Sequence, residues 1–79
     1  MLITSSKTKQ SIESALSRVA GFSVEITVRG MYEFTLSADG DRDFATAVRW
    51  LNATNRVASH ETSYDPETDF SCCYISLTR

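Results

Sequence analysis

The sequence predicts a two-layer α+β fold, with two helices on one face of a four-stranded antiparallel sheet in the order αββαββ. Three observations predict it: two segments with apolar residues at helical spacing, two pairs of segments with alternating apolar residues, and turn-forming residues inside each pair. The 79 residues, 42% hydrophobic and 23% charged, suit one domain spanning residues 1–79 with a thin core.

The first helix is expected over Lys7 to Ala20. Thr8, Ile12, Ala15, Leu16 and Val19 share one helical face, and Gln10, Glu13, Ser14 and Ser17 lie opposite. Ser5 or Ser6 can accept a free N–H of the first turn, and Gly21 suits the left-handed residue that ends a helix. From Phe22 to Arg29 the alternation is strict, with Phe22, Val24, Ile26 and Val28 on the inner side. A second strand from Tyr32 to Ser37 turns Tyr32, Phe34 and Leu36 inward. Parity favours a three-residue loop, Arg29-Gly30-Met31, which pairs Val28 with Tyr32 and Ile26 with Phe34.

Asp39-Gly40-Asp41 reads as a turn leading into a second helix that runs to about Asn55, with Phe44, Ala47, Val48 and Leu51 inward. A second hairpin follows, Val57 to Tyr64 and Phe70 to Thr78, around a tip at Asp65-Pro66-Glu67-Thr68-Asp69. With Tyr64 opposite Phe70, one face carries Tyr64, Phe70, Thr62, Cys72, His60 and Tyr74. Val57, Ser59 and Glu61 meet Leu77, Ile75 and Cys73 on the other face, which is the expected core side. The inward helix residues recur after 32 positions, a weak internal repeat. A short strand at Leu2-Ile3 would bring the order towards the split βαβ, ferredoxin-like arrangement, a topological resemblance that carries no function.

A formal charge of −2 argues against a general nucleic-acid binder, whose affinity rests on many phosphate contacts. The N-terminal residues lack the apolar run of a secretory signal, and no segment approaches the ~20 residues of a membrane span, so a cytoplasmic protein without membrane association is expected. Adjacent Cys72 and Cys73 point to opposite faces of a strand and read as reduced thiols.

Several short patterns resemble sites and are better explained by structure. Asp39, Asp41 and Asp43 alternate like the first ligands of a calcium loop, but Phe44 and Trp50 stand where its glycine and glutamate belong. The carboxylates suit a helix N-terminus instead. Asp65, Glu67 and Asp69 read as a solvated tip. Arg29-Gly30-Met31-Tyr32-Glu33-Phe34 opens like an RNA-recognition stacking motif, yet its outward positions hold Met31 and Glu33. His60 with Cys72 and Tyr74 could supply a nucleophile and base, but not the three or four ligands of a metal. No catalytic residue, cofactor or metal is therefore expected.

Two surfaces are left for binding. Tyr64, Phe70 and Tyr74, with His60 and Cys72, would form an aromatic patch on the open sheet face. Arg42, Arg49 and Arg56 recur every seven residues on the second helix, with Trp50 at the edge of its apolar face. The expected function is a non-catalytic protein-binding module whose partner is another protein or a second copy. Its small size also fits the accessory and inhibitor proteins of phages and other mobile elements. The alternatives are a nucleic-acid or nucleotide-phosphate binder using the three arginines, and a small hydrolase around His60 and Cys72.

Overall fold

The structure is a computed structural model that describes residues 6–54 and 57–78. Its elements run α1 (Ser6–Ala20), β1 (Glu25–Val28), β2 (Glu33–Asp39), α2 (Ala45–Thr54), β3 (Val57–Asp65) and β4 (Phe70–Leu77). All pairings are antiparallel, and the sheet order is β1-β2-β4-β3. Two helices lie on this four-stranded sheet in the αββαββ order. The proposed strand at Leu2-Ile3, the Ser5 cap and Arg56 lie outside the described residues.

Helix α1 buries Ile12 and Leu16. It stops where Gly21 adopts φ +84°, a left-handed conformation that costs glycine little, and the Gly21 N–H closes the last turn on the Ser17 carbonyl. The chain spends Phe22 and Ser23 on leaving the helix, so β1 starts at Glu25 and not at Phe22. Helix α2 buries Ala47 and Leu51, with Phe44 buried just before it, and its start is capped by Asp43 Oδ1, which accepts the Ala45 N–H at 2.9 Å.

The first hairpin keeps its expected faces but not its expected register. Val28 pairs with Phe34 and Ile26 with Leu36, two residues further along than a three-residue loop allows. The N–H groups of Arg29 and Gly30 both converge on the Glu33 carbonyl, and the Tyr32 carbonyl accepts from Leu77 of β4, which takes Tyr32 out of the β1 ladder. A shift of two preserves parity, so Phe34 and Leu36 remain buried.

The second hairpin slips by one residue, which has a larger effect. Asp65 pairs with Phe70, leaving a four-residue tip, Pro66 to Asp69. Asp65 Oδ1 accepts the Glu67 N–H at 3.0 Å, and Asp69 takes a left-handed φ of 52° that aspartate tolerates. On β4 the expected core side holds: Cys73, Ile75 and Leu77 are buried. On β3 the faces are exchanged, with Tyr64, Thr62 and His60 opposite Ser71, Cys73 and Ile75 on the helical side. A bulge between Val57 and Ser59 restores the expected Val57–Leu77 pair.

The core comprises Ile12 and Leu16 of α1, Val24 just before β1 and Ile26 within it, three residues of β2, Phe44 just before α2, Ala47 and Leu51 of α2, and Cys73, Ile75 and Leu77 of β4. β3 adds only half-buried Val57 and is exposed from Ala58 to Asp65. The β2–α2 connection is anchored by fully buried Ser71, whose Oγ accepts the Arg42 N–H at 3.0 Å and donates to the Gly40 carbonyl. Gly40 sits at φ +86°, and its N–H donates to the Asp69 carbonyl at 2.7 Å, tying the connection to the hairpin tip. Ser71→Ala strands a donor and an acceptor and is expected to cost about 1–3 kcal/mol in urea unfolding. Ser63→Ala on exposed β3 should change stability by less than about 0.5 kcal/mol; equal losses would contradict the anchoring role of Ser71.

Candidate functional site

The expected aromatic patch does not assemble. Phe70, Cys72 and Tyr74 lie on the open face of the sheet, in line with Asp39, Ser37 and Thr35 of β2. The one-residue slip carries Tyr64 and His60 to the helical side instead. His60 and Cys72 therefore project from opposite faces and do not form a nucleophile–base pair. Tyr64 is 38% exposed, and its hydroxyl donates to Asp69 Oδ1 at 2.7 Å, a bond that holds the phenol above its ordinary pKa. Its role is closure of the hairpin tip.

On the open face, Tyr74 lies next to Thr35 and Glu61 and carries the Arg29 guanidinium 5.5 Å from its ring centroid. Glu25, Glu33 and Glu61 occupy the same face by register. This surface is polar and acid-rich around a single stacked arginine.

The arginine stripe also separates. Arg42 precedes α2 and is held locally: its Nε donates to the Asp39 carbonyl at 2.9 Å, and its guanidinium lies 4.9 Å from the Phe22 ring centroid. Phe22 in turn meets Phe44 edge-on at 5.8 Å. Arg49 is exposed and lines a groove between α2 and β3 with Val48, Asn52, Val57 and His60. The acidic clusters have local tasks, Asp43 as the α2 cap and Asp65 and Asp69 within the tip. Among the described residues, no three His, Cys, Asp or Glu side chains converge as a metal-holding group.

Trp50 remains, and it has company that sequence periodicity misplaces. Ala15 and Val19 were expected to face the sheet with Ile12 and Leu16, but the stripe divides. Ile12 and Leu16 enter the core, whereas Ala15, Arg18 and Val19 border a cleft of about 370 Å³ with Trp50 across from them on α2. Val19 is 37% exposed, while Trp50 is half-buried and packs against the core. The sequence signal was Trp50 at the edge of its apolar face; that Val19 completes the site follows from how α1 lies along α2.

No helix among the described residues is long and apolar enough to cross a membrane. Comparison with family models, curated proteins and solved structures finds no match.

The two cysteines differ sharply. Cys73 is fully buried and Cys72 half-buried, and burial pushes the Cys73 thiol up, partly opposed by a hydrogen bond from Thr62. Maleimide is expected to label Cys72 in the folded protein and Cys73 only after denaturation; equal labelling would contradict this burial. Because folding raises the Cys73 pKa, its stabilising share is complete below the ordinary thiol value of about 8.5 and declines as pH rises beyond it. Cys73→Ala should flatten that alkaline decline.

Proposed function

We propose that this chain is a non-catalytic protein-binding domain, of the accessory or inhibitor kind, and that it docks its partner at the cleft between α1 and α2. The observation that carries this reading is the pairing of Trp50 with exposed Val19, bordered by Arg18. A tryptophan platform beside an aliphatic side chain buries much area at small entropic cost, and tryptophan and arginine dominate the energetic centres of protein interfaces. The cleft residues, Ala15, Arg18, Val19 and Trp50, include no nucleophile or general base, which supports recognition over catalysis. The occupant that fits is a partner segment with an apolar side chain for the cleft and a carboxylate for Arg18.

Val19→Asp and Arg18→Glu oppose that occupant directly; both positions are exposed, so the cost to the fold is limited to about 0.3–1 kcal/mol from a carboxylate in the last turn of α1. Immobilised wild-type protein should retain its partner from host extract. Each variant should lose at least about tenfold in affinity for that partner, the scale of an interface hot spot, and Tyr74→Ala should not. Undiminished binding by both cleft variants would refute the assignment.

A further inference from the structure

The groove between α2 and β3 gathers polar side chains that neither the core nor the Trp50 cleft uses. It encloses about 230 Å³ and is lined by Val48, Arg49 and Asn52 of α2 with Val57 and His60 of β3. On the helix, Arg49 and Asn52 are three residues apart, the spacing that puts two side chains on one face. On a regular strand the same spacing separates side chains, because residues three apart point to opposite faces. The irregularity between Val57 and Ser59 changes that. It sets Val57 opposite Leu77 and His60 opposite Ile75, two buried residues of the helical side, so both β3 side chains turn towards α2. Bulges recur beside binding sites because they re-aim a side chain in this way.

Every polar side chain lining the groove can donate a hydrogen bond, and none is a carboxylate. Asn52 Oδ1 accepts the Val57 N–H at 3.3 Å, which only the oxygen of the amide can do, so Nδ2 with its two hydrogens is the free end. Arg49 adds a guanidinium fork. Arg42 spends its Nε on the Asp39 carbonyl, whereas among the described residues the Arg49 side chain makes no hydrogen bond or ion pair. His60 adds an imidazole N–H, and a second with a positive charge when protonated.

A ligand for this set must supply acceptors and negative charge. A phosphate group carries three strong acceptor oxygens and about −1.5 to −2 charge at neutral pH, one oxygen for each of three donor side chains. A carboxylate has two oxygens and a single charge and leaves one donor unmet. Pockets that enclose drug-sized ligands span about 300–1,000 Å³, so a groove of 230 Å³ admits a phosphate with a small organic group and not a whole nucleotide. Val48 and Val57, both packed against the core, give that organic group an apolar wall. We infer that the α2–β3 groove binds a small phosphomonoester, its phosphate held by Arg49, Asn52 Nδ2 and His60 and its organic group resting on Val48 and Val57.

The test is a ¹H–¹⁵N correlation titration of the full chain with phenyl phosphate, with ionic strength held constant by sodium chloride so that general screening does not change. Saturable shifts should centre on Arg49, Asn52, Val57 and His60, with a Kd of about 1 mM, the scale of a few charge-assisted bonds in an open groove. Arg49→Gln and His60→Gln should each weaken binding at least about fivefold, with wild-type melting curves because both positions are exposed. Arg29→Gln removes the same charge from the open sheet face and should bind as wild type does. Inorganic phosphate and benzoate should each bind more weakly than phenyl phosphate, the first for want of the ring and the second for want of an oxygen and a charge. Shifts that do not saturate, or that spread evenly over the basic residues, overturn the site, as does undiminished binding by both groove variants. Benzoate as tight as phenyl phosphate overturns the phosphate assignment, and inorganic phosphate as tight overturns the monoester.

Discussion

Side-chain parity across the β3–β4 hairpin is the constraint on which the rest of the structure depends. Strand residues alternate between faces, so the tip length decides which side chains of β3 join which side chains of β4. The tip has four residues, fixed by the Asp65 turn at its start and left-handed Asp69 at its end. From that single choice it follows that Tyr64 and His60 part from Phe70, Cys72 and Tyr74, and that no aromatic patch forms on the open face.

Burial is uneven for a second reason, the placement of the helices over the sheet. Helix α1 contributes Ile12 and Leu16, and α2 contributes Ala47 and Leu51 with Phe44 just before it, over β1, β2 and β4; β3 lies outside that cover beyond Val57. Polar bonds then compensate for a limited apolar core at two seams. Ser71 joins the Gly40–Arg42 connection to β4, and Glu13 with Ser17 joins α1 to the margin of β1. Glu13 and Ser17 lie opposite the apolar stripe of α1, where local sequence reading places surface residues. β3, held along one side only, is the element expected to open first in native-state exchange.

Much of this was legible in the sequence because it depends on short-range periodicity. The element order, the α2 face, Ile12 and Leu16 of the α1 face, the core side of β4 and the glycine stop of α1 follow from spacing and turn chemistry alone. Registers were not legible, for a physical reason. In the first hairpin, loops differing by two residues satisfy the same alternation; the longer one closes on the Glu33 carbonyl, and the Tyr32 carbonyl pairs with distant Leu77 instead of β1. In the second, a five-residue tip gathers more aromatic side chains on one face, but Asp65 pairs with Phe70 while its carboxylate accepts from Glu67, and alternation alone does not distinguish the two tips. Arg42 and Val19 failed as sequence readings for a related reason. A seven-residue recurrence extended the helix past its true start at Ala45, and a helical wheel cannot say which part of an apolar stripe meets the sheet and which meets the neighbouring helix.

These pieces form one functional picture: a small helix-covered sheet with a tryptophan cleft on its helical layer and a donor-lined groove where α2 meets β3. The β3–β4 alignment decides which side chains reach each face of the sheet, and it is the claim to measure. Cross-strand Hα and amide NOEs in uniformly labelled protein report it residue by residue. The account predicts connectivities of Ser63 with Cys72 and of Glu61 with Tyr74. Connectivities of Tyr64 with Phe70 and of Thr62 with Cys72 would instead contradict it, reinstating the five-residue tip and reuniting the aromatic rings on one face.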